Sequence, residues 1–256
     1  MTDHATDPEY GPVFGVLTPQ ANTSVEPEMQ SLLQPGTVLS ARCTSRSADA
    51  RQRLIDYADG LAETLAQFDT APLRVAGFAC TGSSYLMGRM AEDKLTERLS
   101  AGTGAPVITA AQAIRQALDA LGVRRLAVLS PYPAWLTTDA LDYWRAAGYA
   151  IGALADLPLA GPDTRGIYDL TTARVQAALS GLNSQGCDAV LLSGTGMPSL
   201  RAIATSESTL PMLSSNLCLA WVMRAAVEPE IGTAEGLRRW LSPQAGWRSR
   251  LIGLNR

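Results

Sequence analysis

The chain reads as an α/β protein of two pseudo-symmetric lobes, each a mostly parallel sheet flanked by helices, and three observations lead there. First, short runs of Val, Leu, Ile and Ala end in Gly, Ser, Thr or Pro, and they are continuous rather than alternating, as in strands buried on both faces. Second, a longer amphipathic stretch follows nearly every run, which is what parallel strands need as a return path. Third, three segments recur in the same order. Phe14-Gly-Val-Leu-Thr-Pro19 echoes Leu126-Ala-Val-Leu-Ser-Pro131. Val75-Ala-Gly-Phe-Ala-Cys80-Thr-Gly echoes Ala189-Val-Leu-Leu-Ser-Gly194-Thr-Gly, and Pro106-Val-Ile-Thr109 echoes Pro211-Met-Leu-Ser214. The spacing, about 105 to 115 residues, is too long for a solenoid and fits two similar lobes with a crevice between them.

In chain order, strands are predicted at Val13–Leu17, Thr37–Ala41, Arg74–Cys80, Pro106–Thr109, Arg125–Ser130, Ala150–Ala155, Ala189–Ser193 and Pro211–Ser214. Helices are predicted at Asp49–Phe68, Ser84–Leu99, Ala110–Leu121, Pro133–Ala147, Leu170–Leu182, Ser199–Thr205, Leu217–Val227 and Ala234–Leu241. This divides the chain into a tail (1–11), a first lobe (12–110 with 211–230), a second lobe (111–210) and a C-terminal helical extension (231–256).

Bulk properties narrow the function. A chain of 256 residues can bury a large core as one domain or two lobes. A net charge of −3, a pI near 5.3 and no Lys/Arg cluster argue against a nucleic-acid partner. No apolar run approaches the ~20 residues that span a bilayer, so no membrane partner is expected. The polar, acidic start, Met1 to Tyr10, does not read as a signal peptide, and a cytoplasmic location is expected. Cysteines 43, 80, 187 and 218 show no C-x-x-C pairing and read as reduced thiols. With His4 the only histidine, no metal site is expected. Acid–base chemistry must then come from Cys, Asp, Glu, Lys or Tyr.

Cys80 ends an apolar run and is followed at once by Thr81-Gly82-Ser83-Ser84 and a helical stretch. A thiol at a strand tip facing a helix N-terminus is placed to be acidified, and the backbone around it to hold an anion. Buried free cysteines also serve simply as packing, and Cys43, Cys187 and Cys218, which lack this placement, read that way. Thr81-Gly82 and Thr195-Gly196 each follow a strand and open a helix. Facing each other, the two turns would bind carboxylates and stabilise an enediolate; the alternative is a pair of tight turns with helix caps. Neither turn has the G-x-x-x-x-G-K-[ST] pattern of a nucleotide loop. Tyr132, after Ser130-Pro131, either donates a hydrogen bond to a carboxylate or lines a wall. Asn22 holds the equivalent place after the first strand, as ligand or as Asx turn. Arg42 and Arg46 flank a strand exit, where they either meet a second carboxylate or stay solvated.

These segments together resemble the aspartate/glutamate racemase superfamily, and within it the branch of maleate cis–trans isomerases and arylmalonate decarboxylases. Pro19-Gln-Ala-Asn22-Thr23-Ser-Val-Glu26 is similar to that branch's opening segment. Cys80-Thr81-Gly82-Ser83-Ser84-Tyr85 is similar to its first-cysteine segment, and Ser130-Pro131-Tyr132 to the one carrying a substrate-binding tyrosine. Ser193-Gly194-Thr195-Gly196-Met197-Pro198-Ser199-Leu200 is similar to its second-cysteine segment.

The resemblance implies cofactor-free chemistry at a carbon next to a carboxylate, on a small carboxylate substrate, in a homo-oligomer. Cys80 would be the catalytic thiol, with Asn22, Thr81, Gly82, Ser83, Tyr132, Gly194, Thr195 and Gly196 around the substrate. Relatives with two thiols place one on each face of the substrate; the isomerases use the first as nucleophile and the second for proton handling, and the decarboxylases keep only the second. Here only the first remains, since Gly194 can neither donate nor accept a proton. Two-base racemisation thereby loses a partner. Maleate-type isomerisation with Cys80 as the single thiol is the favoured expectation. Arylmalonate-type decarboxylation, with Cys80 protonating one face, is the alternative, and a non-catalytic carboxylate-binding relative is the third.

Overall fold

The strand Val13–Pro19 (β1) is buried along its whole length and pairs in parallel with a neighbour on each side, so every one of its positions can be apolar without an exposed face. The computed structural model describes residues 11–253; the tail residues 1–10, His4 among them, lie outside the described residues. After β1 come α1 (Val25–Leu32), β2 (Thr37–Cys43), α2 (Ala50–Asp59), α3 (Leu61–Ala66), β3 (Leu73–Phe78), α4 (Thr81–Met87), α5 (Arg89–Thr103) and β4 (Val107–Thr109). The second half repeats the plan with α6 (Ala110–Leu121), β5 (Arg125–Ser130), α7 (Ala134–Ala146), β6 (Ala150–Asp156), α8 (Thr172–Gly181), β7 (Ala189–Leu192), α9 (Leu200–Ala204) and β8 (Met212–Ser214). Then follow α10 (Ser215–Ala225), α11 (Ala234–Leu241) and α12 (Gly246–Gly253), with 3₁₀ turns at Thr164–Asp169 and Pro229–Gly232.

The two sheets have the same order, β2-β1-β3-β4 and β6-β5-β7-β8, with every pairing parallel. The two-lobed α/β reading holds. Inner strands β1, β3, β5 and β7 are largely buried, whereas the edge strands β2 and β6 are half exposed, as strands with one open side must be. Phe14, Phe78, Leu126 and Trp144 are among the fully buried side chains, each contributing about 1.5–3 kcal/mol of burial.

Three boundaries differ from the sequence reading. The helix expected over 49–68 breaks at Gly60 into α2 and α3. The helix expected from Ser84 begins at Thr81, breaks at Gly88 (φ +75°) and continues to Thr103, so Cys80 itself is the N-cap. Helix α1 was not anticipated; Pro27 falls in its first turn, where a missing N–H costs nothing.

The division into lobes needs a correction as well. Residues 212–214 form β8, which pairs with β7 and so belongs to the second sheet, not to the first lobe. Its helix then departs. Ser214 accepts a bond from the Leu217 N–H to cap α10, which packs against β3 and α1, and the Arg224 guanidinium donates to the Pro35 carbonyl at 2.8 Å. The first half mirrors this, with Thr109 capping α6 in a full capping box and Tyr149 of the second lobe donating to Asp119 of that helix at 2.7 Å. Helices α6 and α10 pack on each other at the junction of the two lobes.

Candidate active site

The strand order reverses direction at β1/β3 in one sheet and β5/β7 in the other, and a ligand crevice opens outside the carboxyl ends of such strands. The segments leaving those four strands carry Asn22, Cys80, Tyr132 and Gly194. All four line one cavity of about 40 Å³, together with Thr81, Gly82, Thr195 and Gly196. Ser83 is not in its wall. A wider groove of about 630 Å³ beside α8 and α9 contains none of these residues.

Cys80 is 4% exposed and extended (φ −148°, ψ 91°), so its thiol sits just ahead of the first turn of α4. The Ser83 hydroxyl lies 3.3 Å from its sulfur and 2.6 Å from the Leu54 carbonyl. That hydroxyl has one proton and gives it to Leu54, so in this arrangement the thiol donates to Ser83. Ser83 therefore stands behind the thiol instead of in the substrate space. The expected acidification is not found. Burial pushes the Cys80 thiol above its ordinary value, against weaker opposing pulls from the Ser83 hydroxyl and the Ser83 and Gly82 amides. The thiol rests protonated. Cys43, Cys187 and Cys218 are likewise free and buried, with Cys43 pushed up to about 12 by burial, but none of them lines the cavity.

The second turn faces the first. The Thr195 hydroxyl donates to the Ala79 carbonyl at 2.8 Å and accepts from the Asn22 amide at 3.4 Å. The Asx-turn reading of Asn22 holds, its Oδ1 accepting the N–H groups of Ser24 and Val25, and the residue also lines the cavity. Arg42 does not reach the site. It pairs with Glu26 and donates to the carbonyls of Gln20 and Asn22, bracing this loop from outside, and Arg46 is exposed.

The two turns are not equivalent amide cradles. The Gly194 N–H is taken by the Ser215 hydroxyl at 2.9 Å, so it is not offered to a ligand. Gly194 has φ +99°, and a Cβ there would lie 2.9 Å from Pro131 Cγ and 3.1 Å from the Tyr132 hydroxyl. That hydroxyl is bonded to Thr81 Oγ1 at 2.7 Å, and behind it Tyr85 pairs with Ser193 at 2.8 Å. Burial pushes the Tyr132 phenol well above its ordinary value.

Several further residues came from outside the motifs. Glu28 of α1 is buried and accepts from the Ser199 and Leu200 N–H groups (2.6 and 2.9 Å), the Ser199 hydroxyl and the Asn216 amide, and Asn216 in turn donates to the Thr195 carbonyl. Burial raises the Glu28 carboxyl above its usual range, opposed by these bonds. The 3₁₀ turn 164–169 covers the cavity with Thr164, Arg165, Ile167 and Tyr168. Tyr168 closes so tightly on Gly196 that a Cβ there would lie 2.6 Å from its ring. Buried Arg53 of α2 holds the cover by an ion pair to Asp163 while donating to the Ala48 carbonyl at 2.8 Å. No sequence signal marked these residues. Among the described residues no group of His, Cys, Asp or Glu is arranged to hold a metal ion, and no helix is long and apolar enough to cross a membrane.

Comparison with known proteins places this architecture in the aspartate/glutamate racemase superfamily, in the branch of cofactor-independent cysteine isomerases and decarboxylases. The chain belongs to the arylmalonate decarboxylase family, whose profile matches residues 14–239. It is 27% identical over 233 residues to the maleate isomerase of Pseudomonas putida, covering 85% of this chain and 92% of that one. A second maleate isomerase, from Nocardia farcinica, is 29% identical over 79% of this chain and 84% of its own length. Among solved structures, a cysteine-to-alanine variant of the maleate isomerase of Pseudomonas putida S16 with maleate superposes with a TM-score of 0.77 at 25% identity, covering 85% and 92% of the two chains. Arylmalonate decarboxylase shares the fold, with a TM-score of 0.69 at 20% identity over 84% and 92%.

Proposed function

We propose that the protein is a cis–trans isomerase for a maleate-type dicarboxylate, with Cys80 as its nucleophile. One observation carries the reading: the thiol just past the tip of β3 opens into a cavity lined by all four strand-end segments, and the opposing turn has no thiol. The relatives named maleate isomerase support the substrate class.

The chemistry follows from the groups present. The Cys80 sulfur adds to one alkene carbon, the π pair moves to the neighbouring carbon and its carboxylate, and the former double bond rotates. The sulfur then leaves with the C–S electron pair and the trans alkene reforms. The Thr81–Tyr132 hydroxyl pair and the Asn22 amide line this space and supply neutral donors for the carboxylates and for the charge that develops beside the adduct. Arg53 and Arg165 line the covering side and raise the affinity for a dianion. The enzyme is read as acting without a cofactor, as a homo-oligomer in the cytoplasm.

A second reading rests on the protonated resting thiol, which suits a proton donor to one face of an enediolate, as in decarboxylation of an arylmalonate. Proton NMR of the enzyme with maleate and, separately, with phenylmalonate decides between them. Fumarate from maleate with phenylmalonate untouched supports the isomerase; phenylacetate and no fumarate would replace it with the decarboxylase. Turnover of neither, with protection of Cys80 from iodoacetamide by both, would make the protein a carboxylate binder.

A further inference from the structure

Position 194 is glycine, yet the space beside it is filled. A side chain leaving Gly194 along the ordinary Cβ direction would run into the head of Tyr132, 3.1 Å from Oη and 3.3 Å from Cζ. The phenol is fixed there. Its ring packs edge-on against Tyr85 with centroids 6.0 Å apart, and its hydroxyl bonds Thr81 Oγ1 at 2.7 Å. Cys80, one residue before Thr81, opens into the same cavity as Tyr132.

We propose that Tyr132 is the proton-handling group of this site, doing with a phenol what a side chain at position 194 cannot do. The inference rests on the isomerase reading and goes beyond it, because carboxylate binding alone needs no transferable proton.

The proton balance requires such a group. When neutral Cys80 adds to maleate, the C–S bond forms, the π bond breaks and an electron pair is left on the adjacent carbon. Tyr132 gives its phenolic proton to that carbon, and the proton released by the thiol returns the phenolate to the phenol. The enzyme then holds a neutral S-succinyl adduct and a neutral phenol. On the return, the phenol's proton passes to the departing sulfur, the phenolate so formed takes a proton from the same carbon, and the C–H pair re-forms the alkene as the C–S bond breaks with its pair going to sulfur. The high affinity of the buried phenol for its proton suits both halves: it stays neutral at rest and is a strong base once ionised. Gly194 is what leaves room for the phenol.

The experiment is maleate isomerisation in D₂O by the wild-type protein and by Tyr132→Phe. Wild type is expected to give fumarate carrying deuterium at a vinylic carbon. Tyr132→Phe, folded by circular dichroism, is expected to lose about 10²–10⁴-fold in kcat and the deuterium label in whatever fumarate forms. Its affinity for maleate, read as protection of Cys80 from iodoacetamide, should change only a few-fold. Fumarate from wild type without deuterium overturns the assignment while leaving the isomerase reading intact, as does a folded Tyr132→Phe with kcat within tenfold of wild type or with a defect in affinity alone. A wild-type protein inert toward maleate overturns both readings together.

Discussion

The two Thr-Gly turns begin as near copies in the sequence and end as opposites in the structure. The first, after β3, holds a thiol ahead of α4 with amides behind it, and its Ser83 and Thr81 hydroxyls meet Cys80 and Tyr132. The second, after β7, is tied down at several points: the Gly194 N–H to Ser215, the Thr195 hydroxyl to Ala79, the Thr195 carbonyl to Asn216, and Asn216 to Glu28. Two similar strand–turn–helix units thus differ: one keeps a thiol at the cavity, and the other has its donors bonded within the protein and held in place.

The contrast can be broken most sharply at its reactive end. Cys80→Ala should abolish turnover, by on the order of 10⁴-fold or more, with an unchanged circular dichroism spectrum. A kcat near wild type would end the role given to the first turn. At the anchored end, Glu28→Ala strips a buried acceptor from two N–H groups, a hydroxyl and an amide. It should cost about 3 kcal/mol, seen as a melting temperature about 6–12 °C lower. A loss under 2 °C would mean that the second turn holds itself.

Gly194→Cys tests the symmetry itself. Because glycine at 194 is what removes the second base, returning a thiol there would by sequence alone restore racemase-like exchange. The structure gives a different expectation: φ +99° and the facing phenol should make it destabilising by about 1–3 kcal/mol, with no gain in α-proton exchange. Rapid deuterium washout from both enantiomers of a bound acid would show that Tyr132 yields its place.

The smallest expected effect is a trend with pH. The raised Cys80 value means the thiolate fraction still grows above pH 9, so iodoacetamide labelling of Cys80 should climb about tenfold per pH unit through that range. A plateau near pH 7 would restore the acidified thiol. The same shifts bear on stability. A buried thiol or phenol whose folded value is raised contributes most below its unfolded value and loses that contribution as pH rises through the folded one. Cys43, at about 12, and Tyr57, also at about 12, therefore predict a falling melting temperature above pH 9–10.

The fold was legible because continuous apolar strands and regular strand–helix alternation are local signals, and the same is true of the four strand-end segments. Cys80, Asn22, Tyr132 and Gly194 converge because strand order alone brings those ends together. What could not be read were partnerships between distant residues. Glu28 and Ser199 are 171 positions apart, and Arg53 and Asp163 are 110 apart, in stretches with no special composition. The acidified thiol was misjudged for a related reason: helix proximity is visible in sequence, but the extent of burial opposing it is not. The β8 error came from following a helix home; α10 does cross to the first lobe, but the strand before it stays behind.

The cavity is walled on one side by Thr164, Arg165, Ile167 and Tyr168, whose turn is tied to α2 by the Arg53–Asp163 ion pair. A diacid that enters past this turn requires residues 164–169 to part, and the Arg53–Asp163 clasp then sets how readily they do. An enzyme gated in this way should respond to solvent viscosity, its maximal rate falling as glycerol slows the flap while the bond-making steps inside stay as fast as before.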